Sequence, residues 1–266
     1  MEIMMTFKPS FILYLVVALS AGLLSSLSFA EGFYLFGSLG TANQENSDNT
    51  GELRSAFITG TVTGIPLSLN IPAGESVGWQ TSLKSDISFS GALGYDYGNI
   101  RFELALTRNA NNVKSHSGAN VSGTDLASID VGVLLSGRQG DLGISTDAFL
   151  RNGTGEIETT SLMLNGYYDF NLNGGITPFI GVGIGNASTQ ATFAPSNTSV
   201  LDDDDSGFAW QAIIGAQYSI TDQLSLGVSY RHISIEDVSV NVDLIPAQLN
   251  IRNRSQIFEV GLRHSF

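Results

Sequence analysis

The stretch Phe208-Ala209-Trp210-Gln211-Ala212-Ile213-Ile214-Gly215-Ala216-Gln217-Tyr218-Ser219-Ile220 decides the fold. One parity holds Phe208, Trp210, Ala212, Ile214, Ala216, Tyr218 and Ile220; the other holds Ala209, Gln211, Ile213, Gly215, Gln217 and Ser219. Successive side chains of a strand point to opposite faces, so this is a strand with one apolar and one small or polar face. Soluble strands usually run to about 5–6 residues. A tilted strand crossing a bilayer needs about 9–11, which this stretch supplies.

The same period recurs on both sides of it. Phe89, Gly91, Leu93, Tyr95 and Tyr97 alternate with Ser90, Ala92, Gly94 and Asp96. Ile100, Phe102, Leu104 and Leu106 alternate with Arg101, Glu103, Ala105 and Thr107. Leu162, Leu164, Tyr168 and Phe170 face away from Asn165, Tyr167 and Asp169. Ile180, Val182 and Ile184 oppose Phe179, Gly181, Gly183 and Gly185, and Leu224 to Tyr230 oppose Ser225 to Arg231. The last strand sets Phe258, Val260, Leu262 and Phe266 against Glu259, Gly261, Arg263 and Ser265. With the more uniformly apolar Phe33 to Gly40, whose faces stay unassigned, the count is eight.

The connections alternate in length. Gly98-Asn99, residues 171–175 and residues 221–223 are short; 41–86, 111–156, 188–206 and 237–254 are long. Short turns on one side and long loops on the other mark an outer-membrane barrel, with the turns in the periplasm. That topology predicts an aromatic residue where each downward strand meets the periplasmic interface. Tyr97, Phe170, Tyr218 and Phe266 stand there, as an interfacial girdle requires. The inward charges Arg101, Glu103, Glu259 and Arg263 are expected to form a polar network, because an unpaired charge in a narrow lumen is costly. Inward Gly94, Gly181, Gly183 and Gly185 leave room for Phe179 and Tyr167.

Composition agrees with this reading. Of 266 residues only 14% are charged, against about 25% in a soluble domain, and 30 are glycine. There is no cysteine, which excludes a disulfide framework, a thiolate metal site and a cysteine nucleophile. The net charge of −13 leaves no basic stripe for nucleic acid, so no nucleic-acid partner is expected. With 42% apolar residues, disorder is excluded as well. Residues 1–30 read as a secretory signal peptide: Lys8, the apolar run from Phe11 to Leu24, then Ser25 to Ala30 with cleavage after Ala30. The remainder, 31–266, is expected to be the barrel, with its main extracellular loops at about 41–86 and 111–156.

Several of these runs carry a resemblance. Ser161 to Phe170 followed by Ile176 to Gly185, Gly94-Tyr95 with Arg101 to Leu104, Phe208 to Gln211, and the ending Gly261 to Phe266 together resemble the opacity-protein-like porin family of outer-membrane β-barrel domains. The resemblance implies an eight-stranded up-and-down barrel related to the membrane domain of outer membrane protein A. It also implies that Phe258, Val260, Leu262 and Phe266 form the terminal signal read by the barrel-assembly machinery. Two departures stand out. His264 occupies a position where the family has an aromatic residue, and the segment 111–156 is longer than usual. Within it, Ala127 to Leu135, the turn Gly137 to Asp141 and Leu142 to Leu150 form either a projecting hairpin or two further wall strands, making ten.

No catalytic, metal-binding or cofactor-binding residue is expected. The only histidines are His116, His232 and His264. His232 has Ser234 and Glu236 nearby, but a hydrolytic set needs its base held by a third group, and these are neighbours along one strand end. The run Asp202 to Asp205 falls in the third long loop and reads as solvated, although hard cations do take carboxylate oxygens. Asn197-Thr198-Ser199 matches a glycosylation sequon, which carries little weight in a bacterial barrel. The expectation is a monomeric barrel in the bacterial outer membrane, in contact with its lipids and lipopolysaccharide. Its role is structural or surface-interacting with a lumen filled by side chains, or alternatively it is a small-solute, cation-preferring channel.

Overall fold

The computed structural model describes residues 32–61, 68–134, 142–151, 154–172, 174–194, 199–243 and 245–266. Eight long strands form the wall: β1 Phe33–Gln44, β6 Asp86–Tyr97, β7 Ile100–Val121, β9 Gly155–Asp169, β10 Ile176–Phe193, β11 Leu201–Ser219, β12 Leu224–Val242 and β13 Ala247–Ser265. Each pairs antiparallel with its neighbour, and β1 pairs with β13 to close the ring. Closure leaves no strand edge, the condition for a sheet to exist in hydrocarbon. The alternative of ten strands is excluded by one pairing: β7 bonds directly to β9 from Ile100↔Tyr168 to Asn112↔Glu156, so no strand stands between them.

The wall is inside-out relative to a soluble protein. Outward Leu104, Leu164, Ile184, Ile214 and Phe258 are each more than half exposed, whereas inward Arg101, Glu103, Arg231 and Glu259 are buried. Lipid covers the first set and the lumen the second. Both chain ends meet at the short-turn side, where the Phe266 amide donates to the Phe33 carbonyl. Gly98 makes the two-residue turn between β6 and β7 at a φ of 75°, which few residues with a Cβ tolerate.

Two of the connections read from sequence as long loops, 188–206 and 237–254, are mostly strand, and strand runs well into the other two. Of β7's length, the lipid-facing run ends near Leu106, and the strand continues to Val121. At about 3.3 Å per residue and ordinary barrel tilt, that extension rises roughly 35 Å above the bilayer. Beyond β1 and β6 the wall is continued by β2 Ser47–Leu53 and β5 Ser76–Leu83, which pair with each other, with β13 and with β7. Among the described residues of this connection, the tip with β3 Phe57–Ile58 against β4 Asn70–Ile71 leaves the wall. Among the described residues of the 111–156 segment, the expected strands Ala127 to Leu135 and Leu142 to Leu150 pair only through the isolated bridge Asp130↔Ser145. After β8 Thr124–Asp125 come a 3-10 turn Val131–Leu134 and the helix α1 Thr146–Arg151. The Asp130 carboxylate accepts the Gly132 and Gly143 amides, 2.8 Å each, and these donors hold its carboxyl below the usual range. The expected turn Gly137 to Asp141 and most of the Asn197-Thr198-Ser199 sequon lie outside the described residues, as does the signal peptide.

Leu150 of α1 packs inward onto a buried apolar cluster that includes Leu53, Val77, Val113, Phe193, Leu201, Val240 and Leu249. The barrel therefore has an apolar core in its extracellular half and a polar one in its membrane half.

Candidate functional site: the barrel lumen

The membrane half is filled in layers, and each layer is built from inward positions of several strands. At the periplasmic end Arg101 on β7 makes a bidentate pair with Asp169 on β9, Nε–Oδ2 2.6 Å and Nη2–Oδ1 2.9 Å. Arg263 on β13 pairs with Asp96 on β6 and donates to Gln217 at 3.2 Å. The Tyr34 ring lies between the two arginines, 4.1 Å from the Arg263 guanidinium carbon, while that of Arg101 lies 4.5 Å from the Tyr167 ring centre. Planar guanidinium groups satisfy both demands at once, a flat aromatic face and a two-oxygen carboxylate.

One layer up, the Glu103 carboxylate accepts from three neutral donors: Tyr34 Oη at 3.2 Å, Tyr167 Oη at 2.9 Å and Asn165 Nδ2 at 3.1 Å. Above it, Arg231 on β12 pairs with Glu259 on β13 at 2.8 Å. Ser38 and Ser229 donate to the same carboxylate at 2.8 and 2.9 Å, and Arg231 also reaches Gln211 and Thr107. Arg231 is 1% exposed and Glu259 5%. Among these side chains lies a cavity of about 30 Å³, room for one or two waters.

Glycines make the layers fit. A Cβ on Gly181 would strike the Tyr167 ring, one on Gly215 the Phe179 ring, and one on Gly94 the Tyr34 ring. Over the ion pairs comes a thin apolar layer with Ala42, Met163, Ala209 and Ile257. Then Asn253 spans the bore, donating to Thr159 at 3.0 Å and Thr189 at 2.8 Å.

The four inward charges named from sequence all line this lumen, but not as partners of one another. Arg101 and Glu103 share a strand face, and so do Glu259 and Arg263, yet each arginine pairs across to another strand. Asp96, Asp169 and Arg231 complete the pairs. Their inward parity was legible, but which of them meet was not. Tyr34 had no such signal, because both faces of Phe33 to Phe36 are apolar.

Tyr97, Phe170, Tyr218 and Phe266 stand at the short-turn ends of β6, β9, β11 and β13, with Tyr97 76% and Tyr218 54% exposed. Phe258, Val260 and Leu262 face outward on β13. His264 lies edge-on to Phe266, ring centres 5.0 Å apart. His232 lies against Trp210 at the outer rim of the lipid band, 5.7 Å between centres with the rings tilted by 55°, and its described contacts include no serine or carboxylate.

Asp202 to Asp205 are exposed or partly exposed, as read from sequence, but they are strand rather than loop. The four lie in β11 with their side chains on alternating faces. The β11–β12 ladder ends at Ala209↔Ile235, and beyond it the strands part. There Asp205 accepts the Ser239 amide at 2.9 Å, and Asp203 accepts both the amide and side chain of Asn241 at 2.8 Å. Two carboxylates thus act as rungs where backbone carbonyls no longer reach.

Over 98 residues the chain is 34% identical to the outer membrane protein PagN of Salmonella typhimurium strain LT2, a match covering 34% of this chain and 40% of PagN. It is 35% identical over 82 residues to an uncharacterised protein of Brucella abortus strain 2308, covering 27% of this chain and 29% of that one. The chain thus matches well under half the length of these relatives. Among solved structures, neisserial surface protein A superposes with a TM-score of 0.47 at 14% identity, over 90% of this chain and 100% of that chain. OprG of Pseudomonas aeruginosa gives 0.47 at 13% identity, over 89% and 97%. A family model matches residues 11–263, and with it the chain belongs to the outer membrane protein beta-barrel domain family, whose members reside in the bacterial outer membrane.

Proposed function

We propose that this protein is a filled barrel with a structural or surface-interaction role, a rigid membrane anchor for the β-walled head it raises above the outer membrane. The observation that carries this reading is the layered lumen. Two tiers of buried ion pairs, the Glu103 cluster and Asn253 cross the bore in succession, and the cavity among the ion pairs is of about 30 Å³. A hydrated ion would have to displace paired charges at more than one level, at several kcal/mol each. The β-walled head favours presentation of a fixed surface over a flexible one. The outward band takes outer-membrane lipids and lipopolysaccharide as its surroundings, and Phe258, Val260, Leu262 and Phe266 engage the barrel-assembly machinery.

A second reading, a small cation-preferring channel, has one observation in its favour. Arg101, Arg231 and Arg263 face four lumen acids, Asp96, Glu103, Asp169 and Glu259, so the bore carries one more acid than base. Planar-bilayer recording of the purified protein separates the two. The filled reading expects no reproducible unitary conductance; steady cation-selective steps would overturn it.

A further inference from the structure

His116 sits on the extracellular part of β7 and is 3% exposed. Its ring centre lies 3.7 Å from that of Phe193 on β10 and 6.1 Å from that of Trp79 on β5, which stands edge-on. Nδ1 is 2.8 Å from Thr81 Oγ1. That oxygen already accepts from Asn49 Nδ2 at 2.6 Å and from Trp79 Nε1 at 3.2 Å. Its two lone pairs are therefore taken, and its one hydrogen goes to Nδ1. The imidazole proton is thereby assigned to Nε2, which is buried without a hydrogen-bond partner among the described residues. A second proton would have to go on Nδ1, against a hydroxyl with no acceptor left to offer.

Among the described residues nothing charged faces the ring. β5 carries no charged residue, and the inward positions of β2 (Ser47, Asn49, Leu53), of β9 (Ile157, Thr159) and of β10 (Thr189, Ala191, Phe193) are neutral. Lys114 on β7 itself and Asp48 on β2 are exposed outward, and Glu156 lies on the outward parity of β9. Asp147 of α1 is engaged with Arg151 at the surface, 3.0 Å. The closed chamber favours the neutral form of this imidazole.

We propose that His116 is the trigger of an acid-opened latch: protonating it releases the extracellular apolar chamber beneath α1 while the membrane half stays closed. Burial pulls its pKa from 6.5 down to about 4 in the closed chamber. In the opened chamber the group titrates at its ordinary value near 6.5. The closed form therefore keeps its full stability above about 6.5 and loses it progressively as pH falls toward 4. The open-to-closed ratio grows about tenfold per pH unit across that window, about 300-fold in all. The opened surface is apolar, because Leu53, Val77, Phe193 and Leu249 are part of the same cluster.

The test uses the full chain in phosphatidylcholine vesicles with Trp210→Phe, which leaves Trp79 as the reporter. Trp79 emission should shift to the red reversibly between pH 6.5 and 4, with no loss of the folded barrel's distinct migration on an unheated gel. His116→Phe should remove the shift. Thr81→Val, which takes away the hydroxyl that favours the neutral ring, should instead move it to higher pH. An equal shift in His116→Phe, or a flat trace to pH 4 in the parent, overturns the proposal. If His116→Phe fails to assemble, the direction of the Thr81→Val displacement decides, and a displacement to lower pH overturns it.

Discussion

Removing one charge from the Arg231–Glu259 pair tests how dry the lumen is. Glu259→Gln keeps the side chain's shape and one accepting oxygen for Ser38 or Ser229, but it takes from Arg231 its directly paired carboxylate. Arg231 is 1% exposed, and its remaining acceptors are Gln211 Oε1 at 3.2 Å and Thr107 Oγ1 at 3.3 Å, both neutral. Two unit charges near 4 Å attract by about 1 kcal/mol in water and about 4 kcal/mol in a protein-like medium. Breaking a buried pair from one side costs about 3–5 kcal/mol. A filled lumen therefore predicts about 3 kcal/mol or more of lost stability, and a water-filled one about 1. Replacing both partners, Arg231→Met with Glu259→Met, should recover most of the loss, because no buried charge is then stranded. The assay is equilibrium urea unfolding in vesicles, followed by tryptophan fluorescence for the parent, Glu259→Gln and the double variant. A loss under about 1 kcal/mol in Glu259→Gln, or a double variant as weak as the single, would refute the dry, layered lumen and with it the main support for the non-conducting reading.

Two further outcomes follow from the geometry. Gly181→Val places a branched side chain where the Tyr167 ring lies against β10, with Glu103 hydrogen-bonded to that tyrosine, so the yield of heat-modifiable folded barrel should fall sharply; Gly37→Val, on the outward face with open space around it, should assemble normally. Protease added to whole cells should cut the first extracellular connection only between about residues 54 and 75, since β2 and β5 on either side are in the wall, and should spare residues 171–175; cleavage at that periplasmic turn would reverse the topology.

How much of this was legible depends on the kind of interaction. The alternation in Phe208 to Ile220 is a property of one strand, and the structure keeps those parities: Trp210, Ile214 and Tyr218 outside, Gln211 and Gln217 inside. Gly181 opposite Tyr167 was also anticipated, because small inward residues beside large ones are a local pattern. The extent of the wall was not. Above the lipid, outward positions such as Asn112, Gln190, Asp204 and Asn250 are polar, so the apolar stripe that marks a strand in sequence disappears although the strand goes on. Asp202 to Asp205 show the same failure: four acids in a row read as loop, and only the parting of β11 and β12 gives two of them backbone amides to hold. The Leu142 to Leu150 run reads as strand, in a projecting hairpin or in the wall, whereas the direct β7–β9 pairing leaves it no place in the wall and Thr146–Arg151 is helix.

The sequence by itself determined the class, the side of the wall residues in the lipid band of every strand but the first, the end at which the turns lie and the charges that point inward. All of these follow from a period of two and from the lengths between repeats, which need no knowledge of what lies across the barrel. Only the closed ring decided which charges meet. Arg101 and Glu103 are neighbours on one strand, but ring closure and stagger bring Asp169 to the first and Tyr34, Tyr167 and Asn165 to the second. Closure also decided that His116, one polar residue in an extracellular segment, is caged between Phe193 and Trp79. Parity is set along the chain, whereas partners are set across the bore, where distance depends on every strand at once.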